Sequence, residues 1–83
     1  MPRRAREPGS PFGRWLRQQL RRRELSQADL ARRTGVQKST VSKWIHDGHP
    51  EPESCELIAE ALLIPVEEVM RAAGYLPQDV LPR

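Results

Sequence analysis

The chain contains one cysteine, Cys55, in 83 residues. No intrachain disulfide can form, so packing alone must hold the fold. A lone thiol fits a reducing compartment, and the chain reads as cytoplasmic. No apolar run approaches the ~20 residues that a membrane-spanning helix needs. The first residues, MPRRAREPGSP, are basic but lack the apolar centre of a secretory signal. Aromatics are scarce, and Trp15 and Trp44 fall among aliphatic residues at helical spacing, which places them in a core rather than on a stacking platform. Chemistry is scarce too. There is no Ser/His/Asp or Cys/His set, no pair of acids and no phosphate-binding loop. His46 and His49 lack partners at metal-ligand spacing. Neither catalysis nor a metal or other cofactor is expected, and Cys55 reads as a small buried hydrophobe.

Cations are present in excess, and they are unevenly placed. Residues 1–48 carry twelve Arg and Lys against four acids, net +8. Residues 49–83 carry two Arg against seven acids, net −5, which together give the +3 of the whole chain. An abundance of arginine from genomic composition would explain Arg over Lys, but not this clustering. Charge asymmetry of this kind points to a polyanionic partner for the first half.

The apolar residues follow a helical period throughout, with no strand signal and no internal repeat. Residues 1–11 hold three prolines and Arg3, Arg4 and Arg6. They read as a flexible basic arm, dispensable for folding. Phe12, Trp15, Leu16 and Leu20 define a first helix that ends in Arg21, Arg22 and Arg23. Those arginines suit either the helix dipole or contact with phosphates. Ser26, followed by Asp29, is a capping-box-like start for a second helix over about 27–34, ended by Gly35. A third helix is expected over 38–46, with Val41, Trp44 and Ile45 inward. A fourth begins near residues 52–54 and turns Cys55, Ile58, Ala59 and Leu62 inward. A fifth starts at Pro65 or Val66, has Val66, Val69, Met70 and Ala73 on its inner face, and stops at Gly74. Residues 77–83 are a tail, leaving 12–76 as the folded domain. Five short helices with tight connections make an all-α bundle.

Ser26–Gly48 is the most informative stretch. Two helices that cross steeply need a small residue at closest approach, which Ala31 supplies. Their turn needs a residue tolerant of positive φ, and Gly35 supplies that. Val36, Val41 and Trp44 then anchor the third helix from one side. Gln37, Lys38, Ser39, Ser42 and Lys43 are left on the other, all polar or cationic. A helix held in this way can enter the major groove of duplex DNA.

With Ser26-Gln27, Leu30-Ala31, Gly35-Val36, Val41 and Trp44 all in register, the segment resembles the phage-repressor/Cro helix-turn-helix proteins, the XRE family. Phe12–Arg23 is similar to that family's first helix and Glu53–Ala73 to its fourth and fifth. The resemblance implies a compact five-helix bundle of the lambda-repressor-like type, with helices 2 and 3 as the helix-turn-helix. It also implies roles by position. Lys38, Ser39 and Lys43 match base-reading positions. Gln27 matches a phosphate-contacting glutamine, and Gln37, Thr40 and Ser42 match positions that touch backbone or flanking bases. Arg21 and Arg22 join the candidate backbone contacts through their charge. Two departures stand out. Gln37 occupies a place where the family usually has a Ser or Thr cap, so a looser helix start is expected. The spacing from Trp44 to Gly48 is one residue longer than usual.

The function implied is sequence-specific binding of double-stranded DNA by a small transcriptional regulator, a repressor acting on a palindromic operator. Leu57, Leu63, Ile64, Val66, Tyr75 and Leu76 either complete the core or form a homodimer patch. RNA polymerase or a regulatory protein is a further possible partner. The alternative is a protein-interaction or antitoxin-like module built on the same fold.

Overall fold

The computed structural model describes residues 10–75, which contain five α-helices and no strand. The expected arm and tail fall mostly on residues 1–9 and 76–83, outside the described residues.

Helix α1 spans Pro11–Arg22. The Ser10 hydroxyl accepts a hydrogen bond from the Gly13 amide at 3.0 Å, and Pro11 occupies the first turn. A proline there loses nothing, because that amide has no intrahelical partner. Ser10 and Pro11 therefore belong to the fold rather than to the arm. A deletion of residues 1–10 would remove the α1 cap.

Helix α2 spans Gln27–Thr34 behind a complete capping box: Asp29 N donates to Ser26 Oγ at 3.0 Å, and Ser26 N donates to Asp29 Oδ2 at 2.8 Å. Gly35 follows at φ 80°, and the Gly35 and Val36 amides both donate to the Ala31 carbonyl. Helix α3 spans Lys38–Asp47, one residue beyond the expected end, because Gly48 at φ 77° is the first position to leave the helix. Helix α4 spans Pro52–Leu62 and α5 spans Val66–Ala72.

Two helix ends use the left-handed region without glycine. Glu24 (φ 57°) ends α1 and Leu63 (φ 61°) ends α4. In both, the following residue folds back: Leu25 N donates to the Leu20 carbonyl at 2.9 Å and Ile64 N to the Ala59 carbonyl at 3.1 Å. This closure satisfies carbonyls that the helix leaves open. Its apolar follow-on residues, Leu25 and Ile64, pack on the core. That packing offsets a left-handed conformation that costs a non-glycine residue roughly 1–2 kcal/mol.

The core draws on every helix. Phe12 and Leu16 of α1, Leu30 of α2, Val41 and Ile45 of α3, Ile58 of α4 and Val69 of α5 are fully buried. Each such side chain contributes roughly 1.5–3 kcal/mol by leaving water. Helix α3 packs against α1 and α2, while α4 packs against α2 and α5. Ile64, Val66 and Tyr75 also lie against the core, so they help to complete it, whereas Leu63 stands 87% exposed. Leu57 is half-buried, and Leu76 lies outside the described residues. No helix among the described residues is long and apolar enough to cross a membrane.

Candidate nucleic-acid interface

The position of α3 is set from behind and from both ends. Val41, Trp44 and Ile45 are buried, which turns the opposite side of the helix outward. At its start, the α2–α3 turn relies on Ala31, only 6% exposed, and on Gly35. A Cβ at Gly35 would meet nothing within 4 Å. Glycine is therefore needed there for its backbone angle and not for space.

At its end, α3 is stapled to α1. The Ile45 carbonyl accepts from both Ser10 N and Ser10 Oγ, each at 3.1 Å. The same hydroxyl thus caps α1 and satisfies one of the last open carbonyls of α3. One turn later Gly13 lies directly on Ile45, where a Cβ would overlap the Ile45 carbonyl. Gly13 gives no sign of this role in the sequence, because a glycine inside a helix normally reads as a weak spot. The Tyr75 hydroxyl donates to the Pro50 carbonyl at 3.0 Å, fixing the segment between α3 and α4.

On the outer side, Lys38, Ser39 and Lys43 are exposed along α3, with Thr40 and Ser42 half-buried beside them. Gln37 is exposed at the helix start and makes no side-chain cap to the α3 backbone. Its amide oxygen instead accepts from Ser39 Oγ at 3.3 Å, so the expected departure at this position is real. His46 is exposed on the same face, seven residues after Ser39 and three after Lys43. The 3.6-residue period was the signal that would have found it.

The remaining predicted residues lie at the α1–α2 corner. Gln27 and Arg21 line one cleft together with Arg17, Leu20, Leu25 and Ser26. Arg22 is exposed but does not line that cleft, and Arg23 folds back to donate to the Gln19 carbonyl and side-chain oxygens at 3.1 and 2.8 Å. Of the three arginines, Arg23 thus secures its own helix end. Thr40 and Lys43 border a second cleft with Asp47, His49 and Glu51, whose charge is mixed.

Among the described residues, Asp29 and Cys55 have displaced proton affinities. The Asp29 carboxyl is held below its usual range, first by the Ser26 amide, then by the Ser26 hydroxyl and the neighbouring Arg32 guanidinium. Burial, and then the charge of Glu56, push the Cys55 thiol up to about 11. Cys55 is therefore a protonated core residue at neutral pH and not a nucleophile. Among the described residues, no group of three or more His, Cys, Asp or Glu could hold a metal ion.

The helix-turn-helix family model HTH_3 matches residues 16–69. An uncharacterized HTH-type transcriptional regulator of Bacillus subtilis, RghRB, is 38% identical over 76 residues, which cover 86% of this chain and 55% of that protein. The HTH-type transcriptional repressor RghR of the same organism is 37% identical over 69 residues, covering 81% of this chain and 51% of its own length. The chain thus spans about half the length of these curated relatives. No solved structure matches it.

Proposed function

The chain belongs to the XRE-type helix-turn-helix family of DNA-binding proteins, and from that premise we propose that it regulates transcription by occupying specific duplex DNA sites. The observation that carries this reading is the exposed row of Lys38, Ser39 and Lys43 on a helix braced from behind by Val41, Trp44 and Ile45. In the major groove the lysines donate to guanine O6 and N7, and the serine suits either a donor or an acceptor on a base edge. Gln37, Thr40 and Ser42 contact the backbone or flanking bases. Gln27, Arg21 and Arg22 grip phosphates at the α1–α2 corner, and His46 extends the α3 row.

The action is that of a repressor, as the name of one relative says of that relative, and its proposed place is the cytoplasm. A homodimer would place two α3 helices about 34 Å apart, one DNA turn, on a palindromic operator. The chain would act by excluding polymerase or by contacting it.

Selection from random duplex DNA with the purified chain tests the proposal, and a recovered palindrome would fix symmetry and spacing together. Lys43→Ala should cost ~1–3 kcal/mol of binding and relax sequence preference at one position. Unchanged preference in the same selection removes Lys43 from the base-reading set. A salt titration separates DNA binding from a protein-docking role. Affinity for DNA should fall about 10³-fold or more between about 50 and about 200 mM salt, whereas a mainly apolar protein interface would barely respond.

A further inference from the structure

The cleft between the end of α1 and the start of α2, about 340 Å³ in volume, holds two arginines, and one of them has no assigned role. Gly13, Arg17 and Arg21 fall at i, i+4 and i+8, so they form one stripe along α1. The upper end of that stripe rests on the α3 carbonyl of Ile45. Its lower end opens beside Ser26 and Gln27. Arg17 therefore sits between the helix that carries the base-reading candidates and the start of α2.

The surroundings of Arg17 suit an anion. Leu20 and Leu25 give the cleft an apolar floor along which the arginine stem can lie. Its Nε is shielded from solvent and has no hydrogen-bond partner among the described residues. A shielded donor without an acceptor is unfavourable, which favours turning the side chain outward to an anion at the mouth of the cleft, where Nε would gain an acceptor. No carboxylate competes within the cleft lining. Asp29, the acid in the first turn of α2, is already engaged by Ser26 N and Arg32.

We propose that Arg17 and Arg21 together clamp one phosphodiester of the DNA backbone beside Gln27, the Arg17 side chain turning out of its shielded position to present Nε and a terminal nitrogen side-on to two phosphate oxygens. This rests on the DNA-binding reading above and adds Arg17 to it. A side-on fork of this kind is available to arginine and not to lysine. Because the contact is to backbone, it orients the chain on the duplex without reading sequence.

The test uses the full chain, its selected site and a random duplex. Arg17→Gln should weaken binding to both by a similar factor, about tenfold, and lower the slope of log affinity against log salt by about 1. Arg17→Lys should keep the slope and recover only part of the affinity. Methylphosphonate scanning adds a readout that a merely structural role would not move. One neutralised phosphate should weaken wild type about tenfold and leave Arg17→Gln unaffected. The clamp is overturned if Arg17→Gln keeps wild-type affinity and slope, or if its loss is confined to particular bases. It is also overturned if the loss follows a lowered melting temperature while every phosphate still matters equally to the variant. If wild type itself shows no salt-dependent binding to any duplex, the DNA-binding reading falls, and the clamp with it.

Discussion

Helix α3 is held by two joints, and they use the same residue type for opposite reasons. At its start, Gly35 makes the turn from α2 in open space, and only its left-handed backbone angle demands glycine. At its end, Gly13 belongs to the interior of α1, where the missing Cβ lets the Ile45 carbonyl come into contact. The first joint is local, built from neighbours in the chain. The second spans thirty-five residues, from Ser10 to Ile45. A turn glycine advertises itself by its position after a helix. A contact glycine is revealed only by the partner that fills its space.

Gly13→Ala should have the largest effect. The added methyl collides with backbone, which cannot rotate away, so α1 and α3 must separate. We expect a loss of about 3 kcal/mol or more, at the upper end of overpacking costs, read as a lowered melting midpoint. A wild-type midpoint would mean that the two helices do not meet as described. Ser10→Ala removes both the α1 cap and the hydroxyl bond to Ile45, for a loss of roughly 0.5–2 kcal/mol. Ser10→Thr should restore most of it, because the hydroxyl performs both tasks.

Gly35→Ala should be milder, about 1 kcal/mol, since it meets only backbone strain. If it proved as damaging as Gly13→Ala, the distinction between the two joints would disappear. The smallest effect belongs to the α2 capping box. Asp29 has a lowered carboxyl pKa in the folded chain, so its ionised form favours folding. That contribution is complete above the ordinary carboxylate pKa of about 4 and is lost as pH falls through the lowered value. Asp29→Asn should flatten the acid limb of a stability–pH profile; an unchanged limb would remove Asp29 from this role.

Much of this architecture was legible because helices announce themselves through local chemistry. Ser26, Asp29 and Gly35 mark α2 to the residue, since capping and left-handed termination depend only on neighbours a few positions apart. The outward row of Lys38, Ser39 and Lys43 followed from the period of Val41, Trp44 and Ile45. The stops at Glu24 and Leu63 were less visible, because neither is glycine. What supports them is the burial of Leu25 and Ile64 against other helices. Arg17 was passed over for a similar reason. A single arginine on an amphipathic helix looks like solvated charge until a second helix places Ser26 and Gln27 opposite it.

Composition and periodicity alone determined an all-α chain with a basic first half and an outward cationic helix, because helix period, capping and net charge are properties of neighbouring residues. Tertiary structure alone decided that Ser10 belongs to the domain, that Gly13 must have no side chain, and that Arg17 and Gln27 share a cleft. Each of those depends on which surface another helix brings within a few ångströms, and contact across long sequence separation leaves no local pattern in the chain.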